Sequence, residues 1–127
     1  MKLTHICIIT ENLPRLRDFY QKILQLQPEQ FKNDYVEFST GCAILSLFEL
    51  KSHDALAPKS MVSGSNRSIE LEFQVEDADI EYARLNHLQE AIEWVMPPTT
   101  LPWGNRSIYF RDPDGNLINF YARLDSR

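Results

Sequence analysis

The sequence is poor in several features, and each shortage excludes a class of protein. Its 127 residues include two cysteines, too few for a disulfide-stabilised secreted scaffold. Basic residues are outnumbered by acidic ones, giving a net charge of −5, so the chain lacks the charge needed to neutralise a nucleic-acid backbone. The early apolar run at residues 6–9 is too short for a signal peptide or a membrane span. We therefore expect a cytoplasmic protein that binds neither nucleic acid nor membrane.

The few cysteines also bear on the interior of the protein. Cys7 and Cys42 both fall in predicted strands and have no metal-type spacing. We interpret them as reduced core thiols, which suits the cytosol. The apolar fraction of 43% is ordinary for a globular protein, and the length suits one domain or two small modules sharing a core.

The most informative stretch lies near the end of the chain. Two alternating runs, 107–111 and 117–121, flank Asp-Pro-Asp-Gly at residues 112–115. Proline fixes φ at the second turn position, aspartate accepts local N–H groups and glycine adopts positive φ, so this stretch predicts a β-hairpin. Alternation gives the hairpin one apolar face and one mixed, more polar face. The more polar face carries Ser107, Tyr109, Arg111, Leu117, Asn119 and Tyr121.

The rest of the chain predicts the same order of elements twice. In each half a strand and an amphipathic helix precede three strands. The first half has strands at 3–10, 29–31, 35–39 and 42–48, with a helix at 13–24 that carries Pro14 in its first turn. The second half has a strand at 68–75, a helix from Glu76-Asp77 to about Gln89, a strand at 91–96 stopped by Pro97-Pro98, and the hairpin.

This repetition predicts an α+β fold built from two βαβββ modules. The modules, 1–50 and 67–124, form a single domain of 1–127 and a curved mixed sheet, a cup with the helices on its outer face. A connector at 51–66, rich in Ser, Pro and Gly, is expected to have no regular structure. Superposing the two halves places His5 over Glu70 at the first strands. At the fourth strands the same superposition places Ser46 over Asn119.

Four stretches in this order resemble the vicinal oxygen chelate superfamily, which includes glyoxalase I, extradiol dioxygenases, fosfomycin-resistance enzymes and bleomycin-resistance proteins. The resemblance covers nearly the whole chain. The stretches are Leu3-Thr4-His5-Ile6, the helix at 13–24 with Asp18-Phe19-Tyr20, Phe73-Gln74-Val75-Glu76-Asp77, and Asp112-Pro113-Asp114-Gly115-Asn116-Leu117.

The resemblance implies up to four metal ligands, one on the first and one on the fourth strand of each module. This sequence has His5, Ser46, Glu70 and Asn119 at those positions. Imidazole and carboxylate suit Zn, Ni, Mn or Fe, whereas a neutral hydroxyl and an amide oxygen are poor substitutes. We therefore expect no cofactor. A divalent metal held through His5 and Glu70 is the open alternative.

Other side chains are candidates for ligand contact, and plain packing or surface exposure remains the alternative for each. Trp103 lies in a Pro-Trp-Gly stretch that is similar to one in bleomycin-resistance proteins, and its indole could stack on a planar or cationic ligand. Arg106 and Arg111 would hold an anionic group or pair with the acidic residues of the strand at 68–75. The remaining candidates share the cup side of their strands: Tyr35, Phe48, Glu72, Tyr109 and Tyr121.

These candidates leave two main functions open. The first is metal-free binding of a small organic ligand, planar or cationic, as in bleomycin-resistance proteins. The second is a metal-dependent lyase, isomerase or dioxygenase of the glyoxalase type that uses His5 and Glu70 as ligand or proton shuttle. A metal-free enzyme with Glu70 as base is a third. The resemblance also implies a homodimer.

Overall fold

The computed structural model describes residues 1–124 of the chain. The chain divides into two compact units, Met1–Ser65 and Asn66–Arg127. Each unit contains one four-stranded mixed sheet. The α+β class and the βαβββ order predicted for each half are confirmed. The predicted domain of 1–127 includes residues 125–127, which lie outside the described residues, and its boundaries stay a prediction.

The first unit follows the predicted order and adds one helix. Its sheet has the order β1-β4-β3-β2, with β1 and β4 parallel and the other pairs antiparallel. Helix α1 has the predicted bounds, and Asn12 caps it by accepting a hydrogen bond from the backbone N–H of Arg15 at 3.2 Å. The elements are β1 His5–Thr10, α1 Leu13–Leu24, β2 Glu29–Phe31, β3 Tyr35–Ser39, β4 Ile44–Glu49 and α2 Leu50–Leu56.

Helix α2 corrects the expectation that residues 51–66 form no regular element. Its seven residues contain neither glycine nor proline. The first proline or glycine after the helix is Pro58. The end of the helix is closed locally, because the N–H of Ala57 donates to the carbonyl of His53 at 2.8 Å. The Asp54 carboxylate accepts the N–H of Lys59 at 2.6 Å. The composition of the whole stretch therefore concealed a helix in its first part.

The second unit repeats the topology of the first. Its sheet has the order β5-β8-β7-β6, with β5 and β8 parallel. Asp77 caps α3, since its side chain accepts the N–H of Ile80 at 3.0 Å. The elements are β5 Glu70–Gln74, α3 Ala78–Asn86, β6 Glu93–Thr100, β7 Asn105–Arg111 and β8 Leu117–Arg123.

Two predicted ends in the second unit were wrong. Helix α3 ends at Asn86 instead of near Gln89. Strand β6 continues to Thr100 instead of stopping at Pro97-Pro98. Its pairing with β7 shifts register on either side of Met96, and β6 lies at the edge of the sheet, where proline is tolerated.

An aromatic cluster forms the core of the second unit. Phe120 is 2% exposed, and its ring lies 5.1 Å from that of Phe110 and 5.7 Å from that of Phe73. Phe110 in turn contacts Trp94 at 5.5 Å. These rings share one face of the sheet, so the opposite face presents the alternate residues of the same strands.

The interpretation of both cysteines as core thiols in strands was wrong in two respects. Both thiols are free, as expected, but both side chains are exposed. Cys42 also precedes β4 and does not lie in it.

Among residues 1–124, each helix is too short or too polar to traverse a bilayer.

Candidate functional site

The first unit has a polar sheet face, which we call the first polar face. On it Ser46 lies opposite Cys7 of β1 and Glu37 of β3, while His5 lies opposite Ile44. The face carries His5, Cys7, Tyr35, Glu37, Ser46 and Phe48.

A three-residue hydrogen-bonded group occupies one part of the first polar face. The Glu37 carboxylate accepts from the Tyr35 hydroxyl at 2.8 Å and lies 3.1 Å from Nε2 of His5. The other ring nitrogen of His5 lies 2.8 Å from the Thr4 hydroxyl. Both ring nitrogens are therefore engaged by protein groups. Sequence reasoning missed Glu37, although it alternates in step with Tyr35 along β3.

The centre of the same face holds a buried hydroxyl. Ser46 is 1% exposed, and within residues 1–124 its Oγ has no partner in good hydrogen-bonding geometry. Although the Cys7 side chain is exposed, partial desolvation of its thiol raises the pKa of the group, and the nearby Ser46 hydroxyl offsets part of this rise. Cys7 therefore does not have the lowered pKa of a reactive thiolate.

The second unit has the corresponding second polar face, on which Glu72, Asn119 and Tyr109 form one row across three strands. Asn119 Nδ2 donates to Glu72 Oε2 at 2.9 Å. The face carries Glu70, Glu72, Ser107, Tyr109, Arg111, Asn119 and Tyr121. Asn119 therefore pairs with Glu72, whereas the resemblance grouped it with Glu70 as an implied metal ligand.

Two polar atoms on the second polar face are buried and unsatisfied within the described chain. Asn119 is 3% exposed and its Oδ1 has no hydrogen-bond partner there, and the same holds for Oγ of Ser107, which is fully buried. A buried acceptor without a donor costs about 1–3 kcal/mol. A ligand that brings an N–H or O–H group to Asn119 Oδ1 would remove this cost.

The charges on the second polar face perturb one another. Partial desolvation raises the pKa of Glu70. A hydrogen bond with Glu72 and the negative charge of Glu72 raise this pKa further. Desolvation raises the pKa of Tyr109, and the charges of the two glutamates add to the rise. Glu70 and Glu72 therefore form an interacting carboxylate pair beside a phenol ring.

We expect this interaction to appear in the pH dependence of stability. The pKa of Glu70 is raised in the folded state above its ordinary value of 4.5. Its contribution to folding stability is therefore fully present below pH 4.5 and is lost as the pH rises through the folded pKa. Glu70→Gln should therefore gain thermal stability relative to the wild type as pH increases. Melting temperatures from about pH 4 to pH 8 test this. Glu76→Gln, just beyond the strand, is the matched control, and a similar pH trend in both variants would contradict the assignment.

The registers support the equivalence of the two modules. In each unit the fourth-strand residue, Ser46 or Asn119, lies opposite a residue two positions after His5 or Glu70. The first and fourth strands therefore pair in the same register in both units, as the superposition of the two halves of the sequence requires.

The residues at the metal positions that the resemblance implies are a poor fit to a transition-metal ion. In the described part of the chain, no group of three or more His, Cys, Asp or Glu side chains could hold one. His5 is engaged by Glu37 and Thr4, and Ser46 and Asn119 supply only neutral oxygens.

The structure places the remaining candidates in different surroundings. Arg106 donates to Asp79 of α3 from Nε at 2.7 Å and from Nη2 at 3.0 Å, so it does not pair with Glu70 or Glu72. Arg111 lies on the second polar face, with Nε 3.6 Å from Glu93. Trp103 is 62% exposed in the turn between β6 and β7. The aromatic candidates Tyr35, Phe48, Tyr109 and Tyr121 are all half-buried.

A family model described as "Glyoxalase-like domain" matches residues 3–125. The uncharacterized protein YraH of Bacillus subtilis (strain 168) is 30% identical over 132 aligned positions, covering 98% of this chain and 100% of that protein.

Solved structures show the same fold. A glyoxalase/bleomycin resistance protein/dioxygenase from Nocardioides matches with a TM-score of 0.81 and 24% identity, over 100% of this chain and 86% of that one. A glyoxalase/bleomycin resistance protein/dioxygenase family enzyme from Burkholderia phytofirmans PsJN matches with a TM-score of 0.84 and 15% identity, over 98% of this chain and 100% of that one. At these identities the likeness concerns the fold alone.

Proposed function

Because the chain belongs to the glyoxalase-like domain family of the vicinal oxygen chelate superfamily, we propose that it binds a small organic molecule without a metal ion. The ligand presents a protonated nitrogen to the second polar face. The single observation that supports this most is the row in which Asn119 holds Glu72 beside Glu70, with its own Oδ1 buried and unsatisfied within residues 1–124.

The chemistry of this row favours a cationic group over a neutral or anionic one. Two carboxylates supply negative charge and acceptors, and Asn119 Oδ1 supplies a further acceptor. Tyr109 adds an aromatic ring, which attracts cations at its face. A protonated amine would donate to the carboxylates and the amide oxygen at once, because it carries three N–H donors and no acceptor.

We expect phenethylamine to raise the melting temperature of the full chain more than 2-phenylethanol does, because the two differ only in the charged donor. Glu72→Gln should weaken phenethylamine binding about tenfold, the loss typical of one charge-assisted hydrogen bond. Isothermal titration calorimetry would measure the affinities. Glu76→Gln removes the same charge outside the row and should bind as the wild type does.

Equal binding of the amine and the alcohol would contradict the cationic ligand. Equal loss in Glu72→Gln and Glu76→Gln would show that only the overall negative charge matters. A ligand that binds tightly to the native state stabilises it by mass action, so the shift should grow with probe concentration.

The metal-free part of the proposal has a separate test. Purified protein should carry far less than one equivalent of Zn, Ni, Mn or Fe, and adding each ion after chelation should leave the melting temperature unchanged. A stoichiometric ion that His5→Ala removes would overturn it in favour of a metal-dependent lyase, isomerase or dioxygenase that uses His5 and Glu70.

A second candidate function is a metal-free enzyme with Glu70 as the proton-transferring group. The raised pKa of Glu70 favours it, because a general base works best with a pKa near the working pH. Loss of turnover in Glu70→Gln with binding retained would favour this enzyme over a binding protein.

Assembly and location complete the proposal. We propose a homodimer, since dimers are common in the family. Two free thiols suit the reducing cytoplasm, where we place the protein. A monomeric mass in light scattering would contradict the dimer.

A further inference from the structure

A cavity of about 290 Å³ lies in the second unit, beside the second polar face. This volume is at the lower end of the range for small-molecule sites. Its lining includes Asn66, Arg67, Ser68, Glu70, Arg111 and Leu117. Neither Asn66, at the end of the predicted connector, nor Arg67, between it and the predicted strand at 68–75, was singled out from the sequence.

Two guanidinium groups meet at one backbone carbonyl in this cavity. Arg111 Nη1 donates to the carbonyl oxygen of Gly115 at 2.9 Å, and Arg67 Nη1 donates to the same oxygen at 3.4 Å. A guanidinium has five N–H donors, so one such bond uses a small part of its capacity. Within residues 1–124, the other polar contact at either group is the 3.6 Å approach of Arg111 Nε to Glu93. Most of the donors therefore remain for a ligand.

The hairpin turn permits this approach. Gly115 has φ +88°, and a Cβ built on it would lie 3.7 Å from both terminal nitrogens of Arg67. Any other residue would be strained there and would occupy the space beside that guanidinium. The turn itself is fixed because Asp112 Oδ1 accepts the N–H groups of Asp114 and Asn116, each at 2.9 Å.

The loop that carries Arg67 is attached to the same turn. Asn66 Nδ2 donates to Asn116 Oδ1 at 3.2 Å. Asn66 Oδ1 accepts the N–H groups of Ser68 and Ile69 at 3.2 and 3.0 Å, which fixes the backbone on the far side of Arg67. The hydrogen-bonded loop and turn therefore fix the backbone positions from which Arg67 and Arg111 reach the Gly115 carbonyl.

We infer that this cavity binds the carboxylate of a small zwitterionic ligand, with Arg67 and Arg111 on the carboxylate and the carboxylate pair on the cation. Planar guanidinium groups match the geometry of a carboxylate. Glu70 lines the same cavity and would repel a simple anion, so the anionic group must have a donor or a positive charge beside it. This inference rests on the proposed function, since it adds a second anchor to the ligand proposed there.

Three probes of matched shape test the two anchors separately: phenethylamine has the cation, 3-phenylpropionate has the carboxylate, and phenylalanine has both. We expect phenylalanine to bind the full chain about tenfold more tightly than phenethylamine, the gain typical of one charge-assisted pair. Arg67→Gln and Arg111→Gln should abolish that gain, and Arg67→Gln should leave phenethylamine binding unchanged. Arg123→Gln, on β8 of the same sheet, should keep the gain.

The outcomes distinguish the two proposals. If phenylalanine binds no better than phenethylamine, the carboxylate site is wrong and the cationic site stands. If phenylalanine keeps its advantage in Arg67→Gln, the carboxylate is bound elsewhere and the assignment is wrong. If phenethylamine does not bind but 3-phenylpropionate does, the proposed function fails and the zwitterion with it. Arg111 supports the hairpin turn through the Gly115 carbonyl, so its replacement could also disturb folding. Arg67 has an exposed side chain, so Arg67→Gln tests the carboxylate site without that complication.

Discussion

Replacing Phe120 with alanine should lower the free energy of unfolding by about 3–5 kcal/mol, the range for a phenylalanine removed from a packed core. Phe120 is 2% exposed and touches Phe110 and Phe73 in edge-to-face contacts at 5.1 and 5.7 Å. The substitution removes both aromatic contacts and leaves a cavity that a β-sheet cannot collapse to fill. Urea unfolding, followed by circular dichroism, would measure the loss.

Phe31→Ala is the matched control because Phe31 is 41% exposed at an edge strand. It removes the same atoms and should cost well under half as much, since little buried surface is lost. A loss in Phe120→Ala no greater than in Phe31→Ala would mean that the aromatic cluster is not the core of the second unit.

The parts of the fold that were predicted correctly are those with a strong local signal. Helix α1 combined helical spacing with a cap and a proline in the first turn, and both of its bounds were correct. Helix α2 was missed because the composition of the whole connector was judged together, and its later part contains Pro and Gly. Strand β6 was ended too early because two prolines stop most strands. A strand at a sheet edge tolerates them, because no neighbour on its outer side needs the N–H groups that proline lacks.

The candidate site was predicted less completely, for a reason of register. Alternation assigns residues to a face, so Glu70, Glu72 and Asn119 were placed together correctly within their own sheet. Which of them touch depends on the alignment of two strands far apart in sequence, and no local pattern gives that. The resemblance therefore grouped Asn119 with Glu70 as metal ligands, whereas the structure pairs Asn119 with Glu72. Arg67 could not be found, since its partner is a backbone carbonyl.

Asn119→Asp should destabilise the protein by about 2–4 kcal/mol at neutral pH. The amide nitrogen now donates to Glu72 Oε2 at 2.9 Å, and a carboxylate there would oppose a second negative charge in a site that is 3% exposed. The substitution changes shape very little, so the loss isolates charge from packing. It also tests the row on which the ligand proposal depends.

The pH dependence of this variant has a definite sign. Burial and the neighbouring Glu72 hold the pKa of the new carboxyl above its unfolded value, so the protonated form is the stable one in the folded state. The stability of the variant is therefore retained at low pH and lost as pH rises through that folded pKa. Urea unfolding at several pH values would show the deficit shrinking on acidification.

Asn105→Asp, opposite Arg123 on the same sheet, is the control and should change stability by less than about 0.5 kcal/mol. A deficit in Asn119→Asp that grows on acidification would mean that its carboxyl does not face Glu72, and the row could not hold a cation as proposed.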